Sequence, residues 1–79
     1  MEAQLLLGNA VKRERKARKL SQTQLAELSG TGLNFISQLE RGKPGVRMDE
    51  VLEVLAVLGL QLLLVRGREV LAVSEELKH

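Results

Sequence analysis

Seventy-nine residues make one small domain, whose core is marginal unless the chain oligomerises. There is no cysteine, and the single histidine is the terminal His79, so composition excludes a disulfide framework, a thiolate metal site and a histidine-based catalytic group. The net charge of +2 conceals a split: residues 1–47 carry nine Lys or Arg against four Glu, a balance of +5, and residues 48–79 carry three against six acidic residues, a balance of −3. A basic front half suits a phosphate backbone, although Lys12, Arg13, Arg15, Lys16, Arg18 and Lys19 would equally serve to solvate one helix. The apolar run Leu58–Val65 is too short to span a bilayer, and the N-terminus lacks the basic-then-apolar layout of a secretion signal. These features predict a cytoplasmic protein that is not an enzyme and holds no cofactor or metal.

In chain order, residues 4–19 predict a first helix with Leu7, Ala10, Val11 and Ala17 facing inward. Ser21 with Gln24 forms a capping box, which opens a second helix over residues 22–29. Leu25, Ala26 and Leu28 give that helix its apolar face, and Gly30 supplies the tight turn after it. A third helix over residues 33–41 places Phe35, Ile36 and Leu39 inward and stops at Gly42. Lys43, Pro44 and Gly45 cannot continue it. A fourth helix over residues 48–58 shows Val51, Leu52, Leu55 and Leu58 at the helical period and ends at Gly59. Two short helices joined by a glycine turn can set the second into a DNA major groove.

Beyond Gly59 the pattern changes. Residues 60–66 are too short and too uniformly apolar for a surface helix and lead into the turn-like Arg66-Gly67-Arg68, so a strand is predicted. Leu62 and Leu64 would share one of its faces, and Leu63 and Val65 the other. Residues 69–73 form a candidate second strand, and residues 74–79 a frayed or helical tail. A lone strand needs partners for its backbone groups. Pairing with the same strand of a second chain about a two-fold axis supplies them, with Leu60, Leu62, Leu63, Leu64 and Val65 as the dimerisation segment. An intrachain hairpin is the alternative, and it would still leave an edge to pair.

The run from Leu20 to Gly42 resembles the phage-repressor-like (Xre-type) helix-turn-helix family. The family pattern is L-[ST]-Q-x-x-L-A, a glycine, then I-S-x-x-E-x-G. Leu20, Ser21, Gln22, Leu25, Ala26, Gly30, Ile36, Ser37, Glu40 and Gly42 stand at those places. The resemblance covers about residues 5–58 and implies an all-α, lambda-repressor-like domain of four to five helices. Residues 1–58 would be the helix-turn-helix DNA-binding domain, and residues 59–79 the C-terminal strand, dimerisation segment and tail. The stretch G-K-P-x-V-R-M-D-E-V-L followed by L-G-L-x-L-x-L-V is similar to the HipB-type antitoxin branch. That branch implies a homodimer joined through a C-terminal strand or hairpin, repression of its own operon, and a HipA-like kinase toxin as partner.

Carried over residue by residue, the resemblance implies base reading by Leu33, Asn34, Ser37 and Gln38. Asn34 and Gln38 can bond adenine bidentately, and Leu33 offers an apolar contact to a thymine methyl. Asn34 would otherwise cap or solvate its helix. Phosphate contacts fall to Gln22 and Gln24 at the second helix start, and to Arg41, Lys43 and Arg47 beyond the third. Arg15 and Glu40 form a structural ion pair that locks the helix angle and stay out of the DNA contact. Gly32 replaces the family's capping Ser or Thr, leaving Thr31 as the nearest side chain for that role. The resulting expectation is a dimeric repressor reading a palindromic operator, most specifically the antitoxin of a toxin–antitoxin operon. A stand-alone Xre-type regulator, or a protein-interaction adaptor of the same fold, is the alternative.

Overall fold

Each of the described helices ends on a residue in the left-handed backbone region, and this fixes how the chain turns from one helix to the next. The computed structural model describes residues 3–64 and 71–74, with side chains through residue 63. It contains α1 (Ala3–Ala17), α2 (Gln22–Ser29), α3 (Leu33–Glu40), α4 (Met48–Leu58), β1 (Gln61–Leu64) and β2 (Leu71–Ser74). In α1 the Lys19 N–H donates to the Lys16 carbonyl at 2.9 Å and the Leu20 N–H to the Arg15 carbonyl at 3.1 Å, closing a Schellman motif. The same pair of bonds ends α2 at Gly30, α3 at Gly42 and α4 at Gly59. Lys19, at φ 58, is the one non-glycine residue with positive φ among the described residues. It stops α1 two residues short of the sequence expectation.

The start of α2 is fixed by its capping box. Ser21 Oγ accepts from the Gln24 N–H at 3.0 Å, and Gln24 Oε1 accepts from the Ser21 N–H at 2.8 Å. Two of the helix's free backbone donors are thereby satisfied before any tertiary packing.

The core draws on all four helices: Leu7 and Val11, Leu25 and Ala26, Ile36 and Leu39, then Val51, Val54, Leu55 and Leu58. Three residues expected inward lie outside it. Ala17, Leu28 and Leu52 are exposed, the last two at 60% and 49%. On α4 the buried positions 51, 54, 55 and 58 follow the spacing i, i+3, i+4, i+7. Leu52 stands a further 100° round the helix from Val51, and Val54 takes the place assigned to it. On α2 the third inward position is Ser29, whose hydroxyl donates to the Leu25 carbonyl at 2.7 Å.

After α4 the chain forms a two-stranded antiparallel sheet within itself, with Leu62 opposite Val73 and Leu63 opposite Ala72. The expected second strand thus pairs with the first within the chain, and no fifth helix occurs among the described residues. Leu60 departs from its expected place on a pairing surface. It is 7% exposed and packs into its own chain's core, because the turn at Gly59 directs it back under α4. Leu62 packs partly on the same core, and Leu63 is half-buried. The side chain of Leu64, all of Val65, the expected turn at 66–68 and the tail beyond residue 74 lie outside the described residues.

Candidate nucleic-acid interface

Helix α3 is gripped from behind and at its C-terminal end. On α1, Gly8 lies so close to α3 that a Cβ there would overlap the Leu39 carbonyl oxygen and come within 2.9 Å of the Glu40 carbonyl oxygen. Beside it, Gly42 combines φ +75 with a Cβ position only 2.8 Å from the Leu5 Cα. Both helices thus approach at backbone distance, which only residues without side chains permit. For Gly8 one local signal exists: a glycine inside a helix costs about 1 kcal/mol against alanine and therefore calls for a packing reason.

An ion pair completes the grip. Arg15 Nε donates to Glu40 Oε2 at 2.6 Å and Arg15 Nη2 to Glu40 Oε1 at 3.0 Å, with side chains only 10% and 3% exposed. Arg15 Nη1 donates to the Leu20 carbonyl at 2.8 Å, tying the segment between α1 and α2 to the same cation. Gln22, half-buried in the first turn of α2, adds a bond from Nε2 to Glu40 Oε1 at 3.1 Å. Removing one partner of such a buried pair commonly costs about 3–5 kcal/mol, because it strands the other charge.

The opposite side of α3 is left open. Its buried residues are Ile36, Leu39 and Glu40. Leu33 and Asn34 are exposed, and Ser37 and Gln38 are half-buried. At i, i+1, i+4 and i+5 these four share one helix face. The helix N-terminus is Gly32, with no side-chain cap. Thr31 does not assume that role: its hydroxyl lies 2.9 Å from Ser29 Oγ, closing the α2–α3 turn.

The cations sort into two groups. Arg18 donates from Nη2 to the Leu58 carbonyl at 2.7 Å and pairs through Nε with Glu14 at 3.3 Å, so it caps α4, a role the sequence did not disclose. Arg41 and Lys43, just past α3, are exposed, as are Lys12, Arg13, Lys16 and Lys19. Arg47 is also exposed, with its guanidinium forked onto Asp49 at 3.2 and 2.9 Å. The hydrogen bond from Arg47 holds the Asp49 carboxyl below its usual range, and Asp49 in turn raises Arg47. Gln24 spends its side-chain oxygen on the capping box and keeps its amino group. Among the described residues no cluster of His, Asp or Glu could hold a metal ion, and no helix is long and apolar enough to cross a membrane.

Two short helices at a glycine turn, the second clamped by its far end with a polar face open and cations beyond it, define a helix-turn-helix protein of the phage-repressor (Xre) type. The chain belongs to that family: the helix-turn-helix family model matches residues 11–65. It is 45% identical over 53 residues to an uncharacterized HTH-type transcriptional regulator, y4mF, of Sinorhizobium fredii, covering 67% of this chain and 70% of that one. It is 29% identical over 75 residues to the immunity repressor protein of Bacillus phage phi105, covering 95% of this chain and 52% of the phage protein. The chain thus spans about half the length of the phage repressor. It is a transcriptional regulator of the helix-turn-helix type.

Gly8→Ala is expected to destabilise the fold by about 2–3 kcal/mol, since backbone carbonyls cannot yield as side chains do. Urea unfolding measures the loss, and an alanine variant as stable as the native chain would show that α1 and α3 are not held at backbone distance.

Proposed function

We propose that this protein represses transcription by reading a palindromic operator as a homodimer, with α3 in the major groove. The observation that carries this reading is the open face of α3. Asn34 and Gln38 have the donor–acceptor pair that matches adenine N7 and N6, Ser37 can reach a base or a phosphate, and Leu33 fits a thymine methyl. Gln22 and Gln24 at the start of α2, with Arg41, Lys43 and Arg47 beyond α3, supply the contacts to the DNA backbone, which give affinity and register without sequence information. An adaptor would have no use for such a face. The relationship to a phage immunity repressor favours repression over activation.

Asn34→Ala and Gln38→Ala are each expected to lose about 1–3 kcal/mol on an operator selected from a random DNA pool, with little change on mixed-sequence DNA. Equal losses on both would remove these residues from base reading.

Dimerisation is assigned to the hairpin. A two-stranded sheet leaves each strand with one unpaired edge, and β1 carries leucines on both faces. Leu62 and Leu63, with Leu64 and Val65 after them, are the segment we assign to the contact with a second copy. Two-fold pairing would place two α3 helices about one helical turn, roughly 34 Å, or a multiple apart. Sedimentation at micromolar concentration is expected to show a dimer. A monomer that still binds a palindrome tightly would exclude the hairpin contact.

The narrower reading is an antitoxin of a HipBA-like operon, which represses that operon and neutralises a kinase toxin. It rests on the G-K-P-x-V-R-M-D-E-V-L and L-G-L-x-L-x-L-V stretches. The phage relative instead favours a stand-alone regulator without a toxin partner. Adjacent genes separate the two. A kinase-like product that co-purifies with this chain is expected under the first, and no such neighbour leaves the second.

A further inference from the structure

We propose that Glu40 is a positioning residue for the DNA backbone contact: the acceptor capacity it retains after pairing with Arg15 holds the Gln22 carboxamide, so that the second N–H of Gln22 meets a phosphate. This rests on the reading above that Gln22 is a backbone contact.

The geometry is asymmetric in an informative way. Among the described residues, Glu40 Oε2 takes Arg15 Nε alone, whereas Oε1 takes both Arg15 Nη2 at 3.0 Å and Gln22 Nε2 at 3.1 Å. A carboxylate engaged by a guanidinium can only accept, so the group that Gln22 turns toward it is the amino group. Flipping the carboxamide would set its oxygen against the carboxylate oxygen. The orientation is therefore fixed by chemistry. Its amino group has two hydrogens, one of which is spent on Glu40, leaving the other as a donor. A phosphate is an acceptor that this donor suits, and a charge-assisted bond of this kind is among the stronger ones.

Fixing the side chain beforehand also matters energetically. A free glutamine on a helix surface would have to order its torsions on meeting DNA, and that ordering weakens binding. Here it is already ordered, by a carboxylate that is itself 3% exposed and doubly bonded to Arg15. Arg15 also holds the Leu20 carbonyl at 2.8 Å, two residues before Gln22. One buried pair thus sets the angle of α3, the entry of the chain into α2, and the donor at that helix start.

A purely architectural ion pair would predict something different from a positioning one. Replacing both partners by apolar residues, Arg15→Met with Glu40→Leu, commonly preserves folding. The full-length double variant is compared with the native chain on a selected operator and on a mixed-sequence duplex. Because Gln22 is neutral and touches no base, both affinities are expected to fall by the same factor, on the order of tenfold, with the salt dependence unchanged. Gln22→Ala should give the same loss, and adding it to the double variant should give no more. Native-like affinity in a folded double variant, or additive losses, overturns the proposal. A Gln22→Ala protein that binds both duplexes normally overturns instead the backbone-contact reading beneath it.

Nuclear magnetic resonance of the native chain gives a test that does not depend on the double variant folding. The two Gln22 side-chain amide protons are expected to be widely separated, with the one facing Glu40 slow to exchange. A pair resembling free glutamine overturns the proposal.

Discussion

The buried pair between Arg15 and Glu40 is the constraint on which the rest of the molecule depends. Its members come from α1 and the end of α3, 25 residues apart. Desolvating two charges is costly, and the interior tolerates it only where every donor and acceptor is answered. Here each nitrogen and oxygen of the pair has a partner: Glu40 has three bonds, and Arg15 reaches the Leu20 carbonyl with the nitrogen left over. No buried side-chain nitrogen or oxygen among the described residues lacks a partner. The direction of α3 is set by chemistry that tolerates little displacement, while the surrounding leucines and valines supply burial without direction.

Local signals made most of this legible in the sequence. Ser21 with Gln24 and the glycines at 30, 42 and 59 act within a few residues, so they mark helix ends without knowledge of the tertiary fold. What escaped needed non-local information. The hydrophobic pattern placed Leu28 and Leu52 inward because periodicity over a short helix leaves about one residue of rotational freedom, and only the neighbouring helices decide which edge is covered. The role of Gly8 is set by carbonyls more than thirty residues away, beyond the reach of any local pattern. Lys19 escaped because a lysine carries no sign that it will adopt positive φ. Leu60 belonged, by composition, to the strand that follows, yet the turn before it sends it into the core. The base- and phosphate-contact roles rest on family resemblance and on which face of α3 is open.

The cations also show why charge counting alone says little about function. Of the basic residues in and just after α1, Arg15 and Arg18 are committed to carbonyls and carboxylates of the fold, whereas Lys12, Arg13 and Lys16 are exposed to solvent. Arg47 is forked onto Asp49, an exposed contact of the kind that contributes little to stability. A phosphate can therefore compete for this arginine at small cost, while Arg15 is not available on any terms short of unfolding.

Holding a helix by its rear and its C-terminal end has an evolutionary consequence. Leu33, Asn34, Ser37 and Gln38 are excused from the packing that fixes α3, so most changes at these positions leave the fold intact. If these four read bases as proposed, a lineage built on this scaffold can drift from one DNA sequence to another by single steps, each yielding a folded intermediate. Gly8 and Gly42 permit no such drift. Under the proposed reading, the scaffold's history would combine a changing DNA preference with a nearly static junction between α1 and α3.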